Sequence, residues 1–250
     1  MTSLEGTLAG KAALVTGGGT GIGAAIAGAF AGAGAGVVVT GRRPGPLAQT
    51  VERITGAGGA ALAVPADVTD LAAMTGAVRQ ALDRSGRLDI VVANAGIVPE
   101  SRPVLEYPPG EWQRALDINL SGVWNTAKAS VPALISAGGG SVLIIGSGLA
   151  RVSAGGAGAY AVAKAGASAL TRVLAAELRE PGIAVNEVVP GPTRTRALGG
   201  EHPSENEVRW AEAGEWLKDP ADVARLALFV AGLPPHGPTG QVFSLAGRLL

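Results

Sequence analysis

Short runs of apolar residues alternate along the chain with longer segments in which apolar residues recur every three or four positions. The runs at 11–16, 37–40 and 88–93 have the length and aliphatic content of buried strands. Each ends in a turn rich in glycine or other small residues, and a segment of helical periodicity follows. This alternation predicts an α/β fold in which helices connect the strands of a parallel sheet.

The same pattern predicts the other elements. We predict helices at 47–54, 71–82, 111–134, 160–178 and 220–233, and further strands at 60–64, 141–145, 184–189 and 241–245. The third of these helices is interrupted around Gly122, and Asp219 is a candidate N-cap for the last one. We expect a single domain over residues 1–250, with a polar segment at about 195–217 forming a small substrate lid.

Composition narrows the function classes. Hydrophobic residues make up 47 % of the chain and charged residues only 16 %, which excludes a disordered protein. The formal net charge is zero and Lys and Arg form no long run, so we expect neither nucleic acid nor a membrane surface as a partner. Small-molecule chemistry is therefore favoured.

Residue usage also argues against metal and thiol chemistry. The chain has no cysteine, and its two histidines, His202 and His236, lie in proline-containing, loop-like sequence. We therefore expect no metal site. The first residues lack the pattern of a signal peptide, and no stretch has eighteen consecutive apolar residues, so we expect a cytoplasmic protein.

A glycine loop follows the first predicted strand. Gly17, Gly21 and Gly23 have the spacing Gly-x-x-x-Gly-x-Gly, and a segment of helical periodicity follows them. Glycines let a backbone approach a pyrophosphate closely, and the next helix offers it free N–H groups and a positive dipole end. The 39 glycines of the chain make the spacing alone weak evidence, so the strand–loop–helix context carries the prediction.

Two arginines mark the end of the second predicted strand. A right-handed strand–helix–strand unit places that end beside the glycine loop, where an acidic residue would hold a ribose 2′-hydroxyl. Here Gly41 is followed by Arg42 and Arg43, whose guanidinium groups could bind a 2′-phosphate. We therefore predict NADP(H) in preference to NAD(H), although NAD(H) is possible. The alternative is a pair of exposed turn arginines.

Three polar residues after later strands or within a helix have two interpretations each. Asp67 is either an acceptor for an adenine amino group or a turn residue. Asn94, in Asn94-Ala95-Gly96, either borders the cofactor or ties neighbouring strands together, and we favour the structural role. Asn119 has apolar neighbours, so it is either a satisfied buried amide or a group that holds a water.

The candidate catalytic group is Tyr160 with Lys164, four residues later on a predicted helix. This spacing places a phenol and an ammonium on one helix face, and the positive charge is expected to lower the pKa of the phenol toward the range of a general acid/base. Ser147 lies at the end of the preceding strand, where open parallel sheets bind their ligands. The alternative is that the tyrosine packs in the core and the lysine is solvated.

Together, the motifs resemble the short-chain dehydrogenase/reductase family over essentially the whole chain. The motifs are Thr16-Gly-x-x-x-Gly-x-Gly23, Asn94-Ala-Gly96, Asn119, Ser147, Tyr160-x-x-x-Lys164 and Pro190-Gly191, in this order. The resemblance implies a single doubly wound Rossmann-like domain with seven parallel strands and helices on both faces. It also implies a homotetramer, or a homodimer.

The resemblance implies a role for each matching residue. Tyr160 would be the acid/base, Ser147 would polarise the substrate carbonyl, Lys164 would lower the phenol pKa and bind ribose, and Asn119 would hold a proton-relay water. The cofactor would lie along Tyr160 and Lys164 and along the other matching positions and their neighbours, which are Gly17, Thr20, Gly21, Ile22, Gly23, Arg42, Arg43, Asp67, Val68, Asn94, Gly96, Pro190, Gly191, Thr193 and Thr195.

Some positions depart from the common family pattern. Ala93 precedes Asn94 where a second asparagine is common, and Gly146 replaces the serine or asparagine often found before the catalytic serine. We expect hydride transfer between NADP(H) and a ketone, aldehyde or secondary alcohol. The alternatives are an NAD-dependent secondary alcohol dehydrogenase, a relative that catalyses dehydration or epimerisation, and a cofactor-binding relative without catalysis. The sequence indicates no substrate class.

Overall fold

A seven-stranded parallel sheet forms the centre of the protein. The computed structural model describes residues 6–152, 155–195, 215–234 and 236–247. The strand order is β3-β2-β1-β4-β5-β6-β7. The strands are β1 (Ala12–Thr16), β2 (Gly36–Gly41), β3 (Ala60–Pro65), β4 (Ile90–Ala93), β5 (Gly140–Ile145), β6 (Ile183–Val189) and β7 (Val242–Ser244). This doubly wound topology is Rossmann-like and confirms the predicted fold class.

Helices cover both faces of the sheet. They are α1 (Gly21–Gly32), α2 (Pro44–Gly56), α3 (Leu71–Ser85), α4 (Pro109–Leu116), α5 (Gly122–Ser136), α6 (Gly158–Glu177) and α7 (Pro220–Ala231). A π-helical segment, Asp117–Ser121, joins α4 to α5, and 3₁₀ turns lie at Val104–Glu106 and Gly148–Ala150. The predicted N-cap Asp219 forms a reciprocal capping box with Asp222.

Successive strand residues bury their side chains in two separate cores. In β1, Ala13 and Val15 pack with α1, α2 and α7 on one face, whereas Leu14 packs with α3, α5 and α6 on the other. This two-sided burial explains why the strands are uniformly aliphatic rather than alternating in polarity. No helix of the described ranges is both long and apolar enough to cross a membrane.

The predicted helix at 111–134 differs most from the observed elements. It starts earlier, at Pro109, extends past Pro132 to Ser136, and contains the π segment just before Gly122. Pro132 lies inside α5, which ends two residues beyond the predicted end at 134. The predicted interruption around Gly122 is confirmed, and its physical form is a widened helical turn.

Replacing Asp70 with alanine is expected to lower the free energy of unfolding by about 1 kcal/mol, because Asp70 caps α3. Its Oδ1 accepts hydrogen bonds from the amides of Ala72 at 2.8 Å and Ala73 at 3.0 Å. Urea denaturation measures the change. The control is Asp83→Ala on the exposed side of the same helix, which should change stability by less than about 0.5 kcal/mol. Equal effects of the two variants would contradict the capping role.

Candidate active site

A cleft of about 1740 Å³ opens along the carboxyl ends of the strands. Because β1 and β4 are neighbours while their helices lie on opposite faces, the loops after them diverge and leave a crevice there. The predicted site residues that line it are Gly17, Thr20, Gly21, Ile22, Arg42, Arg43, Asp67, Val68, Asn94, Gly96, Asn119, Ser147, Tyr160, Lys164, Pro190, Gly191, Thr193 and Thr195. Gly23 lies behind the glycine loop instead, where an added Cβ would be 2.4 Å from the Gly17 carbonyl oxygen.

The glycine loop leaves the N-terminus of α1 open toward the cleft. Gly17 has a φ of +66°, and a Cβ there would lie 2.8 Å from Nδ2 of Asn94, so both conformation and space require glycine. Thr20 precedes α1, and its side chain makes no capping hydrogen bond among the described residues. The first N–H groups of the helix therefore remain available to an anion.

Asn94 has the structural role that we favoured. Its Nδ2 donates to the Thr16 carbonyl at 2.8 Å and so ties the end of β4 to the end of β1. Thr16, which the sequence analysis named only as part of a motif, also links the ends of β1 and β4. Its buried hydroxyl accepts from the amides of Asn94 and Ala95, each at 3.0 Å, and donates to the Val92 carbonyl at 3.2 Å.

Two exposed arginines, Arg42 and Arg43, lie at the end of the cleft beside β2 and α2. Arg42 lies just beyond β2 with its side chain 53 % exposed, and Arg43 follows as the residue before α2. Asp67 acts as a turn residue: its Oδ1 accepts from the Thr69 amide at 3.0 Å and the Thr69 hydroxyl at 2.9 Å, while its Oδ2 lies 4.0 Å from Nε of Arg42. This end of the cleft therefore has the donors that a phosphate requires.

Ser147, Tyr160 and Lys164 come together across the end of β5 and the start of α6. The Ser147 side chain lies beside the Tyr160 phenol, close enough to influence the pKa of that hydroxyl. Nζ of Lys164 donates to the Ile145 carbonyl at 2.7 Å and lies 5.8 Å from the centroid of the tyrosine ring. One face of α6 therefore presents both groups to the cleft beside the serine, as i,i+4 spacing predicts.

The pKa directions at this site differ from the sequence-based expectation. Burial raises the pKa of Tyr160 above its usual value, and the Ser147 side chain opposes the rise. Burial also lowers the pKa of Lys164 to about 8, against the charge of Glu187. The predicted lowering of the phenol pKa by Lys164 is therefore wrong for this structure, because exclusion of solvent is the largest influence on the Tyr160 pKa and raises it.

Asn119 lies in the π segment between α4 and α5 and is fully buried. Its Nδ2 donates to the carbonyls of Ile97 at 2.9 Å and Ala115 at 3.1 Å, and its Oδ1 accepts from the Ile97 amide at 3.1 Å. A Cβ on Gly96 would lie 2.8 Å from that oxygen, so this glycine permits the contact. The side chain is thus a satisfied amide that fixes the loop after β4, which is the first of its two interpretations.

The sequence patterns did not predict the ion pair between Glu187 and Arg151 at the base of the site. Glu187 in β6 is 1 % exposed and pairs with Arg151 at 2.8 Å. The unusual glycine at 146 was the available signal, because a Cβ there would lie 2.0 Å from Oε1 of Glu187.

The predicted lid at about 195–217 lies almost entirely outside the described residues, as does His202. Its two ends are described. Thr195 faces Gly21, where a Cβ would be 3.1 Å from the threonine methyl, and Thr193 is bridged to Lys218. Within the described ranges, no cluster of His, Cys, Asp or Glu could hold a metal ion.

The residues present fit a dinucleotide that spans the cleft. The uncapped start of α1 offers N–H donors for a pyrophosphate, Gly17 allows close approach, and Arg42 and Arg43 lie where an adenosine ribose would end. The opposite end of the cleft holds the Ser147–Tyr160 pair. The geometry can therefore place a bound nicotinamide beside a proton donor.

Comparison with known proteins identifies a dehydrogenase family and related oxidoreductases. The profile of the family described as short chain dehydrogenase matches residues 11–206. Oxidoreductase UcpA of Escherichia coli (strain K12) is 36 % identical over 236 residues, which cover 90 % of this chain and 89 % of the relative. Glycine betaine reductase ATRR of Emericella nidulans is 34 % identical over 95 % of this chain, but the chain spans only 19 % of that protein's length.

Solved structures share the whole fold. Carveol dehydrogenase from Mycobacterium avium, in complex with NAD, has a TM-score of 0.89 at 29 % identity, with coverage of 96 % of this chain and 97 % of that one. A proposed NAD(P)-dependent gluconate 5-dehydrogenase from Beutenbergia cavernae, with NADP bound at low occupancy, has a TM-score of 0.87 at 32 % identity, with coverage of 98 % and 97 %. Proteins of this fold thus occur with either coenzyme.

Proposed function

The chain belongs to the short-chain dehydrogenase family of oxidoreductases, and we propose that it transfers a hydride between NADP(H) and a ketone, aldehyde or secondary alcohol. The observation that carries the proposal is that Ser147, Tyr160 and Lys164 lie together at the end of a cleft suited to a dinucleotide, with Lys164 one helical turn from Tyr160. A proton donor beside a hydride carrier is the arrangement that carbonyl reduction requires.

When bound, the nicotinamide supplies or accepts the hydride. In the direction of reduction, the Ser147 hydroxyl donates a hydrogen bond to the substrate oxygen and orients the carbonyl. The Tyr160 phenol donates its proton to that oxygen as negative charge develops on it. The Lys164 ammonium favours the phenolate that remains, and its hydrogen bond to the Ile145 carbonyl holds it in place. In the reverse direction, the phenolate would remove the proton from a secondary alcohol.

The preference for NADP(H) rests on charge at the end of β2. Arg42 and Arg43 stand there instead of a carboxylate, and Asp67 is occupied by its own turn and by Arg42. A 2′-phosphate would gain charge-assisted hydrogen bonds from the arginines. The alternative is an NAD-dependent secondary alcohol dehydrogenase, which the NAD complex of the related carveol dehydrogenase keeps open.

The test is a panel of ketones, aldehydes and secondary alcohols offered to the purified protein with each coenzyme. We expect NADPH oxidation at 340 nm with at least one carbonyl compound, and deuterium transfer from 4-deuterated NADPH into the alcohol. Binding of NADPH without turnover of any compound would favour a relative without catalysis. A higher kcat/KM with NADH than with NADPH would refute the coenzyme assignment alone.

We also propose that the protein is cytoplasmic and assembles as a homotetramer, or as a homodimer. Large apolar side chains on the outer helices support assembly: Trp124, Ile135, Val162 and Val173 on α5 and α6, and Phe229 on α7, are 45–51 % exposed. Such side chains at a shared surface favour association between copies. Light scattering with size-exclusion chromatography measures the assembly, and a monomer at micromolar concentration would contradict it.

A further inference from the structure

Glu187 is a buried charge that the proposed chemistry does not use directly. Its carboxylate accepts hydrogen bonds from Arg151, at 2.8 Å from Nη2 and 3.3 Å from Nη1, and from the Ser168 hydroxyl at 2.7 Å. The two-pronged pairing and the hydroxyl satisfy an acid that would otherwise be costly to bury. A strand residue buried this deeply is ordinarily apolar, so the acid calls for a specific explanation.

Glu187 and its two partners, Arg151 and Ser168, belong to three elements around Ser147. Arg151 directly follows the 3₁₀ turn that begins after Ser147, Glu187 lies in β6, and Ser168 lies one helical turn beyond Lys164 on α6. Arg151 also donates to the Ser168 hydroxyl at 2.9 Å. The cluster therefore fastens the segment that carries Ser147 to the helix that carries Tyr160 and Lys164.

The Glu187 carboxylate also restricts which residue can stand at position 146, directly before Ser147. A Cβ on Gly146 would lie 2.0 Å from Oε1 and 2.7 Å from Cδ of Glu187. The φ of Gly146 is not positive, so this position needs glycine for space and not for its backbone conformation. Glu187 thus occupies the volume that a side chain at 146 would fill, directly below the turn into Ser147.

We propose that Glu187 is a positioning residue of the hydride-transfer site, which fastens the Ser147 segment to α6 through Arg151 and Ser168. This inference rests on the proposed function, since Ser147 and Lys164 act in catalysis only within it. The negative charge of Glu187 also acts on Lys164 and opposes the lowering of the lysine pKa by burial. Its second effect is therefore to favour the ammonium form of that lysine.

The described charged or titratable groups around Lys164 are few. Tyr160 lies on the same helix and Glu187 on β6. Two arginines lie farther out: Arg151 pairs with Glu187, and Arg172 donates to the Ser168 hydroxyl at 3.2 Å. The π segment and β5 contribute neutral groups, the Asn119 amide and the Ile145 carbonyl. Loss of the Glu187 charge should therefore lower the pKa of Lys164 below its value of about 8, and no other described acid compensates.

The experiment is an NMR titration of protein labelled with ¹³Cε-lysine. The sequence contains four lysines, Lys11, Lys128, Lys164 and Lys218, so the spectrum is simple and Lys164→Met assigns the signal. In Glu187→Gln, we expect the Lys164 midpoint to fall by about one pH unit. The alkaline loss of kcat should move down in pH with it, because activity requires the ammonium and is lost as the pH rises through this pKa.

A second variant separates the charge and the positioning role of Glu187 from its role in filling the space beside Gly146. In Gly146→Ser/Glu187→Ala, the serine fills the vacated volume, so the protein should fold even if the single variant does not. We expect the lowered Lys164 midpoint in this double variant as well, with kcat reduced on the order of tenfold through a misplaced Ser147. A wild-type midpoint together with a wild-type kcat in either variant would overturn the proposal.

Asp89 provides the matched control. It is a buried acid paired with Arg87 at 2.6 Å and Lys11 at 3.2 Å, at the amino ends of β1 and β4, away from the cleft. Asp89→Asn should reduce stability without moving the Lys164 midpoint. The titration needs neither coenzyme nor substrate, so a wild-type protein that reduces no carbonyl would refute the proposed function while the midpoint shift still tests Glu187.

Discussion

Replacement of Tyr160 by phenylalanine is expected to lower kcat by about 10²–10⁴-fold, the usual contribution of a positioned general acid. The variant removes one oxygen atom, the phenol oxygen beside Ser147. Without it, the alkoxide that develops on the substrate has no proton donor at that position. Initial rates of NADPH oxidation, with the carbonyl compound that the wild type reduces best, measure the loss.

Coenzyme binding should survive this change, because the phosphate-binding end of the cleft lies in the glycine loop and at Arg42. Quenching of intrinsic fluorescence by NADPH should give a Kd close to that of the wild type. Tyr107 is the other tyrosine of the chain, and its hydroxyl donates to main-chain carbonyls of Glu100 and Gly156. Tyr107→Phe should lower kcat by at most about fivefold, the worth of one neutral hydrogen bond. A Tyr160→Phe variant that retained a tenth of wild-type kcat would refute the assigned acid.

The pKa at which this acid operates is the part of the site that sequence patterns describe least well. Spacing placed Tyr160 and Lys164 on one helix face correctly, but it gave the wrong direction for the phenol pKa. That direction depends on how much solvent reaches the hydroxyl, and burial raises the pKa here. The lysine ammonium donates instead to the Ile145 carbonyl at 2.7 Å, a contact that requires knowledge of where β5 ends.

It was predictable that the residues lining the cleft come together, because parallel strands bring the residues after their carboxyl ends to one edge of the sheet. The glycine loop after β1 and Asn94 after β4 follow from this rule alone. The π segment at Asp117–Ser121 does not, because one extra residue in a turn barely changes a helical apolar pattern. The pair of Arg151 and Glu187 was also hidden, since the two residues lie 36 positions apart and meet only through the pairing of β5 with β6.

Replacement of both Arg42 and Arg43 by alanine is expected to raise the KM for NADPH about tenfold and to leave the KM for NADH nearly unchanged. Charge-assisted hydrogen bonds contribute about 1.5–3 kcal/mol each, or roughly 10–100-fold. The lower end of this range applies because the Arg42 side chain is 53 % exposed and solvent screens its charge. Steady-state kinetics with both coenzymes at fixed ionic strength measure the change.

Arg79→Ala is the matched control, since that arginine is exposed on α3, outside the cleft, and should change neither KM. Addition of Gly41→Asp to the double variant should then lower the KM for NADH, because a carboxylate at the end of β2 can accept from a ribose 2′-hydroxyl. The position has room: a Cβ on Gly41 would lie 3.7 Å from Leu47 Cδ2, an ordinary contact. If the double variant binds NADPH as the wild type does, the arginines are exposed turn residues and the coenzyme preference has another origin.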